Sequence, residues 1–374
     1  MKKNVLIIGA GGVAQVVAHK CAQNNDVLGD IASIGEKNAM KQPGALAGHA
    51  LDAMDIEATK ALIKATGSNI VINVGTSFLN MSVMRACIDT GAAYIDTAIH
   101  EEPGKICEAP PWYGNYEWKH AAECAEKGVT VILGAGFDPG VVNAYAALAK
   151  NDYFDKVTDV DIVDINAGSH GKYFATNFDP EINFREFTGV VYSFQKGEWQ
   201  TNQMFEIGKT YDLPVVGPSK AYLCGHDEVH SLAKNMDGAD VRFWMGFGDH
   251  YINVFTVLKN IGLLSEQPVK LANGDEVVPL KVVKACLPDP ASLAPEYVAD
   301  HKDAYNEVGS QGISYTAGVP PVAAAMLVAT GEWDVKKMAN VEELDPKPFL
   351  NILNHNGLPT RIKDADGDRA LDFS

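Results

Sequence analysis

The chain has 374 residues, of which 47% are hydrophobic and 21% are charged, so it is too apolar to be disordered and long enough for two folded domains. Its formal net charge of −17 makes nucleic acids and anionic membranes unfavourable partners. The six cysteines form no C-x-x-C pair, which favours a reducing cytoplasm over a zinc site or a disulfide framework. No apolar run reaches the ~20 residues that a membrane span needs, so we expect neither a span nor a signal peptide.

The first predicted strand leads directly into a glycine-rich turn. The strand is the apolar run 5–8, and a helix is predicted after the turn because apolar residues recur at helical spacing from 13 to 21. Backbone N–H groups in such a turn bind the pyrophosphate of a dinucleotide, although the same pattern also forms tight structural turns. The predicted cofactor-binding residues, in a G-x-G-x-x-A pattern, are Gly9, Gly11, Gly12, Val13 and Ala14.

The second predicted strand bears on the choice between NAD and NADP. An acidic residue at its end binds the ribose 2′-hydroxyl of NAD, but this chain has Ser33 there, which favours NADP. No arginine stands beside Ser33 to bind a 2′-phosphate. The segment from Asp30 to Gly35 is too short for the end of a strand, a turn and a helix, so we expect residues to be missing there and near 297–299.

The first 140 residues alternate between predicted strands and helices, which indicates an α/β fold with a Rossmann-type doubly wound parallel sheet. Strands are predicted at 50–51, 70–74, 94–96 and 129–133, and helices at 58–65 and 82–89. Ligands bind at the carboxyl ends of such strands, although polar residues there also cap helices and close turns. Further cofactor-binding residues are therefore predicted at these ends: Asp52, Asn73, Gly75, Thr76 and Gly136.

The middle of the chain is richer in predicted strands and indicates a second, α+β domain with a mixed sheet. Strands are predicted at 157–165, 189–194, 241–247 and 251–258. A helix of small residues at 319–331, with prolines at its start and a glycine at its end, is expected to pack back on the first domain. We therefore predict a dinucleotide-binding domain at 1–140 completed by 315–374, and a substrate-binding and dimerisation domain at 141–314.

Polar and aromatic residues are dense between 166 and 186, which makes this segment the predicted substrate site. Arg185 is the first choice for a bidentate contact with a substrate carboxylate, and a structural ion pair with Glu181 or Glu186 is the alternative. His226 and His230 are spaced to share a helix face, but no third ligand accompanies them, so we predict capping, core packing or substrate hydrogen bonding and no metal. The aromatic run 110–118 either lines the cleft or packs at the surface.

With these motifs, the sequence resembles the saccharopine dehydrogenase family over nearly its whole length. The resemblance rests on the glycine turn, on the segments 73–78, 94–98, 110–118, 136–140, 164–186, 225–228 and 246–255, and on 316–320. It implies the family's polyamine-synthesis branch, whose members use NADPH to condense aspartate β-semialdehyde with a diamine, 1,3-diaminopropane or putrescine. It also implies a cytoplasmic homodimer. The alternatives are a saccharopine reductase-like or homospermidine synthase-like enzyme that takes another amine, and a nonenzymatic NADP-binding regulator.

The implied chemistry assigns hypothetical roles to the polar residues. Hydride transfer to an imine needs a proton shuttle and opposite charges at the two substrate ends. Arg185 is expected to bind the semialdehyde carboxylate, and Glu181 or Glu228 the distal ammonium. The expected catalytic residues are Asp96, Asp138 and His170, and the expected substrate-binding residues are Asn177, Glu181, Arg185, His226 and Glu228.

Overall fold

The computed structural model describes residues 2–34, 47–105, 108–165, 172–176, 179–214, 216–288, 304 and 306–373. The strands are β1 (Lys3–Ile8), β2 (Leu28–Ile34), β3 (Ala47–His49), β4 (Ile70–Asn73), β5 (Ala93–Asp96), β6 (Val131–Leu133), β7 (Asp159–Ile165), β8 (Val190–Gln195), β9 (Glu198–Gln203), β10 (Gly208–Leu213), β11 (Gly217–Cys224), β12 (Asp240–Gly246), β13 (Val269–Lys270), β14 (Glu276–Val277), β15 (Met338–Asn340), β16 (Arg361–Asp364) and β17 (Gly367–Ala370). The helices are α1 (Gly12–Gln23), α2 (Ile56–Thr66), α3 (Asn80–Thr90), α4 (Trp112–Asn115), α5 (Ala121–Lys127), α6 (Val141–Leu148), α7 (Pro180–Thr188), α8 (Asp227–Asn235), α9 (Asp249–Asn260), α10 (Pro279–Cys286), α11 (Gly312–Thr330) and α12 (Pro346–His355).

Seven parallel strands form the first sheet, in the order β15-β6-β5-β4-β1-β2-β3. The apolar run of β1 is buried on both faces: Val5 and Ile7 belong to one core, and Leu6 and Ile8 to the other. Helices therefore cover the sheet on both sides, which confirms the predicted doubly wound α/β fold.

A second, mixed sheet has the strand order β10-β11-β12-β8-β9, with β7 also paired to β12. We call this sheet with its helices the second layer, and the first sheet with its helices the first layer. The pair β7 and β12 is parallel, whereas the other pairs are antiparallel. A separate core lies beneath it, in which Phe184, Phe187, Phe243 and Phe255 are buried. The predicted mixed sheet is confirmed.

Helix α11 lies against α1 and is mostly buried. It is long and apolar enough to span a membrane, yet 72% of its most apolar window is buried, as in a core helix. A Cβ atom on Gly318 would lie 2.7 Å from Val16 Cβ, so the two helices touch through glycine. Downstream of α11, β15 pairs with β6 in the first sheet. The predicted domain limits of 1–140, 141–314 and 315–374 stay a prediction.

Three secondary-structure predictions from the sequence are wrong in type or in bounds. Residues 251–258 form part of α9, because Tyr251, Phe255 and Leu258 share one helix face against the second core. The strand expected at 50–51 is β3, which ends at His49 before a turn. The helix expected at 319–331 begins earlier, at Gly312, and contains Pro320 and Pro321 in its interior, where tight packing outweighs the local cost of proline. The expected gap near 297–299 lies outside the described residues, and the one near 30–36 does so from residue 35 onward.

Candidate active site

The glycine turn between β1 and α1 is shaped for close approach of a ligand. Gly9 has φ +124°, and a Cβ atom there would lie 2.9 Å from the carbonyl oxygen of Val74. A Cβ atom on Gly12 would lie 2.8 Å from Ser314 Oγ on α11. The first hydrogen bond of α1 is donated by Gln15 to Gly11, so the amides of residues 12–14 have no acceptor within the helix. These amides fit a dinucleotide pyrophosphate.

The other predicted cofactor residues divide into turn-forming and surface groups. The buried Asn73 accepts a hydrogen bond from the Gly75 amide (3.2 Å) and donates to Asn80 (2.9 Å), so it fixes the Gly75–Thr76 turn beside the glycine turn. Ser33 is buried at the end of β2, and the chain beyond Ile34 lies outside the described residues up to 46. The sequence favours Asp52 as a cofactor contact, but its exposed carboxylate accepts from the Met54 amide (2.9 Å) and closes the turn before α2.

A tightly closed loop after β6 carries Asp138. The Gly136 amide donates to the Pro139 carbonyl (2.7 Å), and the Val141 amide donates back to Gly136 (3.0 Å). Gly140 has φ +140° and leaves no space for a side chain against Gly136. Asp138 sits at the tip of this loop, and the helix that follows begins only at Val141, so Asp138 is not its N-cap.

Asp96 is bonded to the chain just beyond the neighbouring strand β6. Its side chain is fully buried at the end of β5, where Oδ1 accepts a hydrogen bond from the Gly134 amide (2.7 Å). Its Oδ2 has no hydrogen-bond partner among the described residues. Burial raises the pKa of Asp96 to about 8, although the bond from Gly134 opposes the rise. The expected catalytic Asp96 thus joins the ends of two strands.

His226, the residue directly before α8, interacts with carboxyl groups from four parts of the chain. His226 Nδ1 lies 2.5 Å from Glu228 Oε2, and Nε2 lies 3.1 Å from Glu186 Oε1. The imidazole also stacks on Phe243 at 4.1 Å. We name the acidic cluster by its members, the groups whose charges act on one another here: Asp138, Asp164, Glu186, His226 and Glu228.

The electrostatics of the acidic cluster are unbalanced toward negative charge. Burial lowers the pKa of His226, but Glu228 and Glu186 outweigh burial and hold it well above its usual range, so His226 is an imidazolium. Burial raises the pKa of Asp138 well above its usual range and raises that of Asp164, whereas the His226 charge lowers both. Glu228 is fully buried, and its Oε1 has no hydrogen-bond partner among the described residues. One imidazolium thus faces four carboxyl groups, which favours the entry of a further cation.

The guanidinium of Arg185 is occupied within the protein. The sequence favours it as a fork for a substrate carboxylate, but Nε donates to Glu101 (2.7 Å), one terminal nitrogen pairs with Glu266, and the other donates to the Glu102 carbonyl (2.9 Å). The side chain is 2% exposed. Arg185 therefore forms the structural ion pair of the alternative, with other partners than Glu181 or Glu186.

Among the remaining predicted substrate residues that the structure describes, Glu181 does not join the acidic cluster. Glu181 pairs with Lys284 of α10 at 3.0 Å. His170 and Asn177 lie outside the described residues. His230 stacks between Trp112 (4.3 Å) and Trp199 (5.1 Å), and burial lowers its pKa to about 3, so it is a neutral core residue. Within the described residues, no three His, Cys, Asp or Glu side chains are arranged so that they could hold a metal ion.

Sequence reasoning missed two members of the acidic cluster. Asp164 stands at the end of β7, and the rule applied to the first sheet, that strand ends carry ligand-binding groups, points to it as well. Glu186 lies in the predicted substrate segment 166–186, but the only individual role the sequence suggests for it is as a partner for Arg185, because nothing local shows that α7 turns it toward His226.

Fold and glycine turn together are those of a dinucleotide-dependent oxidoreductase. Two family models match the chain, the saccharopine dehydrogenase NADP binding domain over residues 5–132 and the saccharopine dehydrogenase C-terminal domain over residues 136–358. The protein therefore belongs to the saccharopine dehydrogenase family, and its cofactor is NADP.

Two curated relatives cover almost the whole chain. It is 40% identical to carboxynorspermidine synthase of Vibrio alginolyticus, over 97% of each chain. It is 36% identical to carboxyaminopropylagmatine dehydrogenase of Synechocystis, over 95% of this chain and 96% of that one. Among solved structures, apo saccharopine dehydrogenase of Saccharomyces cerevisiae aligns over 99% of this chain and 100% of that one, with a TM-score of 0.68 at 14% identity, which shows a shared fold.

Proposed function

We propose that the protein catalyses the NADPH-dependent reductive condensation of aspartate β-semialdehyde with a diamine, giving carboxynorspermidine or carboxyspermidine for polyamine synthesis. The acidic cluster is the observation that carries this proposal. Four carboxyl groups around one imidazolium, with a fully buried Glu228, suit a substrate that brings positive charge into the pocket. The 40% sequence identity with carboxynorspermidine synthase over nearly the full length supports the same reaction.

The reaction needs a proton at two points. The amine adds to the aldehyde carbon, and loss of water from the adduct requires a proton on the departing oxygen. Bound NADPH would supply a hydride to the imine carbon, and the imine nitrogen takes the second proton, which gives the secondary amine. Asp138 is our candidate proton donor, because burial raises the pKa of its carboxyl well above the usual range and its side chain is only half-buried at the tip of its loop. His226, held by Glu186 and Glu228, keeps those carboxylates in place.

The second nitrogen of the amine is the group that the acidic cluster recognises in this proposal. A monoamine of the same length leaves a buried carboxylate unpaired, which costs far more than a missing methylene. Propylamine is therefore expected to have a kcat/KM at least about 100-fold below that of 1,3-diaminopropane. The pocket gives less discrimination among diamines, since one methylene is worth only about 1–3 kcal/mol.

A steady-state assay tests the proposal. The purified protein is mixed with NADPH, aspartate β-semialdehyde and one amine, and the loss of nicotinamide absorbance is followed, with NADH in parallel. The amines are 1,3-diaminopropane, putrescine, propylamine and lysine, together with agmatine because of the name of the Synechocystis relative. Oxidation that depends on a diamine is the expected result. Turnover with lysine alone would indicate a saccharopine reductase-like enzyme, and NADPH binding without turnover would indicate a regulator.

We further infer a cytoplasmic homodimer that forms through the second layer. Val257 and Ile261, at the end of α9, are 58% and 65% exposed, so they offer an apolar surface. The outer face of the mixed sheet is polar by comparison, because Arg242 pairs there with Asp159 (2.8 Å) and Asp161 (2.6 Å). Light scattering on the wild type and on Ile261→Asp tests this inference: the wild type is expected at twice the chain mass and the variant as a monomer.

A further inference from the structure

Arg185 ties the two layers of the protein together. It lies on α7, whose Phe184 and Phe187 are anchored in the second core. Its Nε and one terminal nitrogen reach across to the loop after β5, to the Glu101 carboxylate (2.7 Å) and the Glu102 carbonyl (2.9 Å). The pair with Glu266 stays within the second layer, since Glu266 follows α9. One guanidinium thus makes one ion pair within its own layer and one between layers.

The ion pair between Arg185 and Glu101 is connected by hydrogen bonds to the cofactor side of the site. Glu101 Oε1 accepts a hydrogen bond from Ser77 Oγ (3.1 Å), and the Ser77 carbonyl is 3.0 Å from His100 Nδ1. Ser77 directly follows the Gly75–Thr76 turn, which lies against the glycine turn at Val74. The Arg185 guanidinium also lies 5.3 Å from the ring of Phe78. The conformation of this turn is thereby linked to Arg185.

The same residue is one position away from the acidic cluster. Glu186 follows Arg185 on α7 and lies 3.1 Å from His226 Nε2. Beside the ion pair, an open crevice of about 580 Å³ separates Gly104, Lys105 and Glu108 from the segment 264–267. The crevice thus lies between the two layers, and the ion pair bridges them beside it.

We propose that Arg185 and Glu101 are positioning residues. They hold the turn at 73–77 at a fixed distance from the acidic cluster, so that the hydride of the cofactor can reach the imine carbon. The inference rests on the proposed function for its kinetic readout, and NADPH affinity supplies a second readout that needs no amine. Misplacement of reacting groups by about 1 Å costs up to about 100-fold in rate. The Glu266 pair, within one layer, contributes to stability alone.

The two carboxylates on one guanidinium give a matched pair of variants, Glu101→Gln and Glu266→Gln. Both remove an ion pair of Arg185, so both are expected to lower the melting temperature. Glu101→Gln is expected to lower kcat/KM for the diamine about 10- to 100-fold and to weaken NADPH binding, measured by nicotinamide fluorescence. Glu266→Gln is expected to leave both within about threefold. Ser77→Ala keeps the ion pair but breaks its link to the turn, and serves if Glu101→Gln does not fold.

Equal kinetic effects of Glu101→Gln and Glu266→Gln would overturn the proposal, because they would reduce Arg185 to a stabilising residue. Wild-type kinetics in both Glu101→Gln and Ser77→Ala would do the same. Failure of the wild type to oxidise NADPH with any amine would instead refute the proposed function. The NADPH affinities of the variants would still test whether Arg185 and Glu101 position the turn. Arg185→Lys, which keeps one donor group, is expected to recover part of the activity that Arg185→Gln loses.

Discussion

The buried carboxyl of Asp96 makes the stability of this protein depend on pH in a way that one substitution removes. Burial raises its pKa in the folded protein to about 8, against an ordinary value of 3.8. Between these values the folded protein binds one proton more than the unfolded chain at this group, so the contribution of Asp96 to stability is greatest at low pH and is lost as the pH rises through about 8. A difference of about four pKa units corresponds to roughly 5 kcal/mol.

The substitution Asp96→Asn keeps the acceptor for the Gly134 amide and removes the titration. The new amide nitrogen replaces Oδ2, which has no hydrogen-bond partner among the described residues, so it is left as unpaired as the O–H of the protonated carboxyl. The variant is therefore expected to gain stability relative to the wild type as the pH rises from about 5 to about 8.5. Since 1 kcal/mol moves the melting temperature of a large domain by about 2–4 °C, the relative shift is on the order of 10 °C.

Thermal unfolding followed by circular dichroism across this pH range measures the effect. Asp52→Asn is the control, because it removes one exposed carboxylate from the edge of the same sheet. Relative to the wild type, the melting temperature of Asp96→Asn is expected to rise with pH, whereas the curve of Asp52→Asn is expected to run parallel to that of the wild type. Parallel curves for both variants would show that Asp96 is ionised when folded and would refute the reasoning.

Three further substitutions test the site. Glu228→Gln removes a fully buried charge from the acidic cluster and is expected to raise the KM for the diamine by about 10- to 100-fold, whereas Glu181→Gln, which lies in a surface pair with Lys284, should change it little. Asp138→Asn is expected to lower kcat by about 100-fold or more with a smaller change in KM, and unchanged kcat would exclude it as the proton donor. Gly12→Val places a side chain against Ser314 Oγ, 2.8 Å from the Cβ position, so weaker NADPH binding in a fluorescence titration is the expected result.

The sequence predicts best where the structural requirement is local. The turn at Gly9 and Gly12 follows from backbone conformation and from space that only glycine leaves free, and both are visible in consecutive residues. The buried strands of the first sheet follow from short apolar runs. Prediction fails where propensity and packing disagree: the β-branched and aromatic residues of 251–258 favour a strand, but burial of Tyr251, Phe255 and Leu258 on one face favours the helix α9.

The sequence alone therefore determined the fold class, the glycine turn, the family resemblance and the general chemistry, because these depend on patterns within short segments. Tertiary structure decided the partners of the charged residues. Arg185 meets Glu101 and Glu266, which are 84 and 81 positions away, and so binds within the protein where the sequence suggests a substrate contact. His226 likewise meets Glu186 only because α7 and α8 pack on the same sheet. No local sequence pattern contains the distances between these residues. Tertiary packing therefore decides which carboxylates lie together in the acidic cluster and which form ion pairs elsewhere.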